Sequence, residues 1–250
     1  TIAGRANMLA THPLNIGPVG VTGSDSANWA AERADVILSV GCRLQDFTTG
    51  SWTAFSHDAQ FISLNAARHD AAKHRSLPVV GDAKLGLAAL QKTLGERCGD
   101  PTWTKEAQAQ RQIWDHTVAE TVRAGDNRPN SYAQAIGVVN ALVADHDRVV
   151  AAAGGLPAEV TANWRTLKTG TVDVEFGFSC MGYEIAGAWG ARIAQSEKEP
   201  EADTISFVGD GSYLMLNSDI YSSVLTGKKL IILVLDNGGF AVINKLQNNT

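Results

Sequence analysis

Two oxygen-bearing residues, Asp210 and Asn237, each stand just past the end of a short apolar run, and that repetition points to chemistry. Asp210 lies in Val208-Gly209-Asp210-Gly211-Ser212, after the run Thr204–Val208. Asn237 lies in Asp236-Asn237-Gly238-Gly239, after Lys229–Leu235. Magnesium takes hard oxygen ligands, usually one or two from protein side chains and the rest from phosphate and water. An aspartate and an asparagine supply that minimum. The flanking glycines let the backbone turn sharply and come close to a ligand. No Walker lysine follows them, so the expected site holds magnesium and a phosphate group without a lysine. Gly-Asp-Gly alone is equally ordinary turn chemistry; the second half of the pattern, at its distance, is what gives it weight.

The elements that must position these residues can be read from the same stretch. Thr204–Val208 and Lys229–Leu235 have the continuous apolar, β-branched character of buried parallel strands. Between them, Leu214, Leu216, Ile220, Tyr221, Val224 and Leu225 suit one helix over Tyr213–Thr226, closed by Gly227. Strand, helix and strand then form a right-handed crossover that sets the two strand ends side by side. Ligands in such folds bind outside those carboxyl ends. Helix amides beginning near Ser212 would add partial positive charge for a phosphate.

Two further segments bear on the same site. Arg148–Ala153 is an apolar strand that runs into Gly154-Gly155-Leu156-Pro157, which reads either as a simple turn or as part of a ligand pocket. Met181 sits in the stretch from Glu175 to Ala191 (Glu-Phe-Gly-Phe-Ser-Cys-Met-Gly-Tyr-Glu-Ile-Ala-Gly-Ala-Trp-Gly-Ala). From spacing alone it reads as a core residue opening an Ala/Gly-rich helix.

Gly209-Asp210-Gly211, twenty-five intervening residues and Asn237 resemble the signature of thiamine-diphosphate-dependent enzymes. The resemblance implies that Asp210, Asn237 and the backbone carbonyl of Gly239 ligate Mg2+. It further implies that Gly209, Gly211, Ser212, Gly154, Gly155, Leu156, Ser179 and Met181 bind thiamine diphosphate, with Met181 as the wedge that holds the cofactor bent. The second asparagine common in that signature is Gly238 here. Gly41–Trp52, Ala3–Asn7 and Glu175–Gly182 narrow the likeness within the acetohydroxyacid-synthase-like group. The branch they resemble hydrolyses a carbon–carbon bond to open a cyclic 1,2-diketone in inositol breakdown. A small cyclic diketone would then be the substrate, and the full-length protein a homodimer or homotetramer. The resemblance also implies a catalytic glutamate on an N-terminal domain that does not precede Thr1. No catalytic residue is therefore assigned in this chain, and a fragment without turnover is expected. Two other readings remain open: a carboligase or decarboxylase of the same family, and a non-catalytic nucleotide-binding module built on Gly20-Val21-Thr22-Gly23-Ser24-Asp25.

The rest of the chain supplies a frame. Alternation of strands at Asp35–Gly41, Gln60–Asn65 and Pro78–Val80 with helices at Ser26–Arg33 and Lys84–Leu94 predicts a doubly wound domain. The expected architecture is α/β, two doubly wound parallel-sheet domains with the second truncated. Residues 1–95 form a middle domain, 96–130 a helical linker bracketed by Asp100-Pro101 and Arg128-Pro129, and 131–250 the diphosphate-binding domain. A net charge of -5 without a basic patch argues against nucleic acid, and no apolar run reaches membrane-span length. Three dispersed cysteines, Cys42, Cys98 and Cys180, fit reduced thiols of a cytoplasmic protein, Cys180 as a packing residue. Arg43, Gln45, Asp46 and Trp52, past a strand's carboxyl end, are polar enough to reach a crevice or simply to face solvent.

Overall fold

The protein is described by a computed structural model that covers residues 1–123, 125 and 130–248. It divides into two compact units, Ile16–His116 with Thr1, and Ile2–Asn15 with Thr117–Thr250. This division differs from the compositional one: the N-terminal segment joins the second unit, and the boundary falls inside a helix. The Arg128-Pro129 end of the expected linker and Thr250 lie outside the described residues.

The first unit carries α1 (Asp25–Arg33), β1 (Val36–Val40), α2 (Asp46–Thr49), β2 (Gln60–Asn65), α3 (Arg68–Ala71), β3 (Leu77–Val80) and α4 (Ala83–Leu94). The long α5 (Pro101–Thr121) follows. Its three strands pair in parallel in the order β1-β2-β3. Ala31, Leu44, Phe55 and Phe61 form its apolar centre. Trp103 of α5 stacks on Trp29 of α1 at 5.5 Å between ring centroids, a packing contact of the kind worth about 0.5–1.5 kcal/mol beyond its area.

The second unit contains α6 (Tyr132–Leu142), β4 (Arg148–Ala151), α7 (Leu156–Asn163), β5 (Val172–Val174), α8 (Tyr183–Ser196) and β6 (Thr204–Gly209). Then come α9 (Asp210–Met215), α10 (Asp219–Leu225), β7 (Ile231–Leu235) and α11 (Ala241–Asn248). Its four strands are all parallel, in the order β5-β4-β6-β7. Alternation along the strands separates two buried faces. Val149, Ala151, Ile205 and Phe207 pack with Ile136, Leu156 and Val160 from α6 and α7. On the opposite face Val150, Ser206 and Val208 are buried, and the Ser206 hydroxyl donates to the Glu184 carbonyl of α8. Helices on both faces explain why these strands read as unbroken apolar runs.

Two details depart from the sequence reading. The single helix expected over Tyr213–Thr226 is two short ones, broken at Leu216, whose φ of -152° and ψ of 84° are not helical. The chain restarts as α10 at Asp219, after Ser218, whose dihedrals are already helical and whose side chain makes no capping hydrogen bond. In consequence Leu214, Leu216, Tyr221, Val224 and Leu225 are exposed in this chain. The strands are also shorter than read: β4 ends at Ala151 and β7 begins at Ile231. Gly227 does take the left-handed conformation expected past a helix, with φ of +62°.

Candidate functional site

The order β5-β4-β6-β7 means that the chain leaves β4 for β5 on one side and returns past it to β6 on the other. The outgoing helix α7 lies on the Val149–Ala151 face, whereas α10, after β6, packs with α8 on the opposite face. The carboxyl ends of β4 and β6 therefore flank a topological switch point, where the connections diverge and open a crevice. Gly154-Gly155 follow the first of these ends and Gly209-Asp210 form the second.

In the β6–β7 pairing Gly209 lies opposite Leu235. Asp210 and Asp236 are thus the next residues out of the sheet, with Asn237 one further. Asp210 begins α9 rather than preceding a helix that starts near Ser212. At six residues α9 contributes little macrodipole, and the side chain of Asp210 matters more. Its Oδ1 is buried and has no hydrogen-bond partner among the described residues, an arrangement that costs about 1–3 kcal/mol unless a ligand satisfies it. Asn237 donates its amide Nδ2 to the Tyr132 hydroxyl, which leaves the side-chain carbonyl as its remaining polar group. Gly238 and Gly239 have φ of +80° and +131°, and the Gly238 N–H donates to Asp236 at 2.9 Å. The Gly239 backbone thus adopts a conformation that side chains rarely take.

The glycines around the crevice leave room. A Cβ at Gly154, Gly209 or Gly239 would meet nothing within 4 Å, and Gly154 has φ of +78°. At Gly211, by contrast, a Cβ would stand 2.9 Å from Phe240 and 3.5 Å from Cε of Met181. Met181 is half-buried and precedes the helix start at Tyr183, so it is neither a core residue nor helical. Its thioether lies over Gly211, next to Asp210. Ser179, with φ of +54°, and Cys180 are exposed. The exposure of Cys180 corrects the expectation that it packs; its N–H and that of Phe178 donate to the Glu175 carboxylate at 2.8 and 2.9 Å. Leu156 is buried in the core at the start of α7, and Gly155 caps that helix.

One participant was missed by sequence reasoning. Glu184, in the first turn of α8, is 1% exposed. It accepts from the Ala153 N–H at 3.1 Å, the Gly182 N–H at 2.8 Å and the Ser212 hydroxyl at 2.8 and 2.9 Å. The hydroxyl of Ser212, expected to face a cofactor, is thereby engaged inside the protein. The signal for Glu184 was present: Glu184, Ala188 and Gln195 share the buried stripe of α8 at helical spacing.

Oxygen donors from Asp210, Asn237 and the Gly239 carbonyl suit a hard divalent cation such as Mg2+. Among the described residues no group of three or more His, Cys, Asp or Glu side chains that could hold a metal ion occurs. The first unit's glycine loop is different. Gly20 exchanges hydrogen bonds of 2.9 Å in both directions with the Asn28 side chain. A Cβ at Gly20 would lie 2.2 Å from the Phe47 carbonyl, so its glycine serves close backbone packing. Ser24 caps α1 by accepting from Ala27. Of the crevice candidates in that unit, Arg43 donates to Gln45, Asp46 opens α2, and Trp52 packs on Phe55 and Phe61.

The thiamine pyrophosphate enzyme central domain matches residues 1–90, and the C-terminal thiamine-pyrophosphate-binding domain matches residues 152–250. The chain is similar to the 3D-(3,5/4)-trihydroxycyclohexane-1,2-dione hydrolase of Geobacillus thermodenitrificans (strain NG80-2), 37% identical over 99% of this chain and 41% of that protein. It is 35% identical, over 99% of its length and 42% of theirs, to proteins of the same name from Bacillus cereus (strain AH820) and Bacillus anthracis (strain A0248). The chain thus spans about two-fifths of the length of these relatives. The chain thus carries the central domain and the C-terminal thiamine-pyrophosphate-binding domain of the thiamine pyrophosphate enzymes.

Proposed function

We propose that this chain forms the cofactor-anchoring part of a thiamine-diphosphate- and Mg2+-dependent hydrolase that opens trihydroxycyclohexane-1,2-dione, a cyclic diketone, by cleaving a carbon–carbon bond. The observation that carries the reading is the unpartnered Asp210 Oδ1 beside Asn237 at the switch point. The chain shares 35–37% identity with hydrolases of that name. When bound, thiamine diphosphate supplies the electron sink that such a cleavage needs. The residues of this chain do the holding. Asp210, Asn237 and the Gly239 carbonyl would ligate the metal. Gly154, Gly155, Gly209 and Gly211 would admit the diphosphate closely, and Met181 would set the cofactor's bend. Glu175 and Glu184 are committed to loop N–H groups, so the proton-transferring glutamate is expected elsewhere in the full-length protein. A cytoplasmic homodimer or homotetramer completes the proposal. Among the described residues no helix is long and apolar enough to cross a membrane.

Calorimetric titration of the full-length protein with thiamine diphosphate, with and without Mg2+, tests the assignment. Wild type should bind only with Mg2+, and Asp210→Ala should weaken that binding at least about 10-fold, the usual scale for losing part of a metal site. Ring opening of the cyclic dione should fall with it. Saturable nucleotide binding with no uptake of thiamine diphosphate would instead favour the nucleotide-module reading and refute this one.

A further inference from the structure

Glu184 is a buried carboxylate that the metal and diphosphate assignments leave without a task. Among the described residues no cation pairs with it; its hydrogen-bond donors are the Ala153 N–H, the Gly182 N–H and the Ser212 hydroxyl. Burying a carboxylate this way is costly unless its oxygens are well satisfied, and here each oxygen accepts from one backbone N–H and faces the serine hydroxyl. The Gly182 N–H also points at the Ser212 oxygen, 2.8 Å away, which closes the cluster.

What distinguishes the cluster is where its donors come from. Ala153 immediately precedes the Gly154-Gly155 turn after β4. Gly182 immediately follows Met181. Ser212 lies two residues past Asp210. Three segments, each carrying a candidate cofactor contact, are therefore fastened to one side chain. Resting on the thiamine diphosphate reading above, we propose that Glu184 is a positioning residue. It holds the β4 turn, the Met181 loop and the Asp210 loop in mutual register and so presents a preformed site.

The proposal depends on both side-chain oxygens of Glu184 being acceptors, one for the Ala153 N–H and one for the Gly182 N–H. Glutamine has the same shape, but whichever way its amide is turned, an NH2 group faces either the Ala153 or the Gly182 N–H. The Ser212 hydroxyl can rotate to accept; a backbone N–H cannot. One of the three segments therefore loses its tie while the side-chain volume is kept.

The test uses the full-length protein and two readouts. In Glu184→Gln, the dissociation constant for thiamine diphosphate with Mg2+ should rise roughly 10- to 100-fold, the usual range for losing a group that orients ligands from behind. In the cofactor-free protein, amide exchange of Ala153 or Gly182 should speed up at least about 10-fold, while β4 and β6 amides stay protected, as local opening requires. Ser212→Ala, which removes one donor and leaves both N–H ties, should cost only a few-fold in binding, and the double variant should be no worse than Glu184→Gln alone. If Glu184→Gln fails to fold, the Ser212→Ala binding and exchange data decide. A folded Glu184→Gln with unchanged cofactor affinity and unchanged exchange would overturn the proposal. If wild type takes up no thiamine diphosphate, the cofactor reading fails, and the exchange measurement still tests the clip by itself.

Discussion

Replacing Gly182 by alanine perturbs the one residue that turns the chain between Met181 and α8. Two separate costs can be worked out. Gly182 has φ of +93°, a region in which a Cβ crowds the following carbonyl at roughly 1–2 kcal/mol. The new Cβ would also stand 2.5 Å from Cβ of Leu216 and 3.0 Å from its Cδ2, against an ordinary carbon–carbon contact of about 3.5–4.0 Å. A Cβ cannot rotate away from its own backbone, so the break between α9 and α10 has to shift, an overpacking cost of about 1–3 kcal/mol. The sum is about 2–5 kcal/mol. With a urea m-value of about 2 kcal/mol/M, the unfolding midpoint of the second unit should fall by roughly 1–2.5 M. Repeating the substitution on a Leu216→Gly background removes the clash and should leave only the backbone part. Gly190→Ala is the control: it lies in the same helix, its Cβ meets nothing within 4 Å, and it should raise stability by about 0.5–1 kcal/mol. A Gly182→Ala midpoint within experimental error of wild type, or an equal cost in both backgrounds, would refute the reasoning.

Other consequences can be checked more simply. Arg5, 6% exposed, donates Nε to the Thr161 carbonyl at 2.8 Å and Nη2 to the Trp164 carbonyl. These are carbonyls at the C-terminal end of α7, where no intrahelical partner exists. Arg5→Met should cost about 3–6 kcal/mol, the loss of two charge-assisted bonds, and speed amide exchange across residues 2–15; unchanged exchange would argue against that tie. Tyr183 ionises above its ordinary 10.0 because burial, and then the negative charge of and hydrogen bond to Asp173, disfavour the phenolate. The folded state holds that proton more tightly than the unfolded one, so its contribution is intact below pH 10 and declines as pH rises through the elevated value. Phenolate absorbance of wild type against Tyr183→Phe should reveal a late-titrating tyrosine, and stability above pH 10 should fall less in the variant.

The parts of this site that could be read in the sequence are those set by local rules. A β-branched run that stops at glycine is a buried strand ending in a turn, so the carboxyl ends of β6 and β7, with Asp210 and Asn237 just past them, were readable from residue types alone. The register that puts Gly209 opposite Leu235 is not fixed by the handedness of the crossover. Where the reading departed, the local pattern did not carry the outcome. The helical period over Leu214–Leu225 carries no mark of the break at Leu216, whose φ and ψ are not helical. Arg5 joins the second unit through carbonyls 156 and 159 residues away, a pairing that no window along the chain contains. Glu184 was missed although its position on the buried stripe of α8 already required it to face inward.

The buried Oδ1 of Asp210 shows why these non-local ties matter to the site. An unpartnered acceptor should relax toward water or toward a donor, and the neighbouring glycine at 209 gives the backbone freedom to let it. That relaxation is resisted on the other side. Gly211 is enclosed by Phe240 and Met181, and Ser212 is fastened to Glu184. The loop therefore keeps a desolvated acceptor in place at a cost of about 1–3 kcal/mol, as functional sites often do. On this account Asp210→Ala affects binding and stability with opposite sign: it should lose Mg2+-dependent cofactor affinity while unfolding at an equal or higher urea concentration in the cofactor-free state. A variant that lost affinity because its fold had weakened would lower both together, and that result would show that Asp210 supports the loop rather than waits in it for a cation.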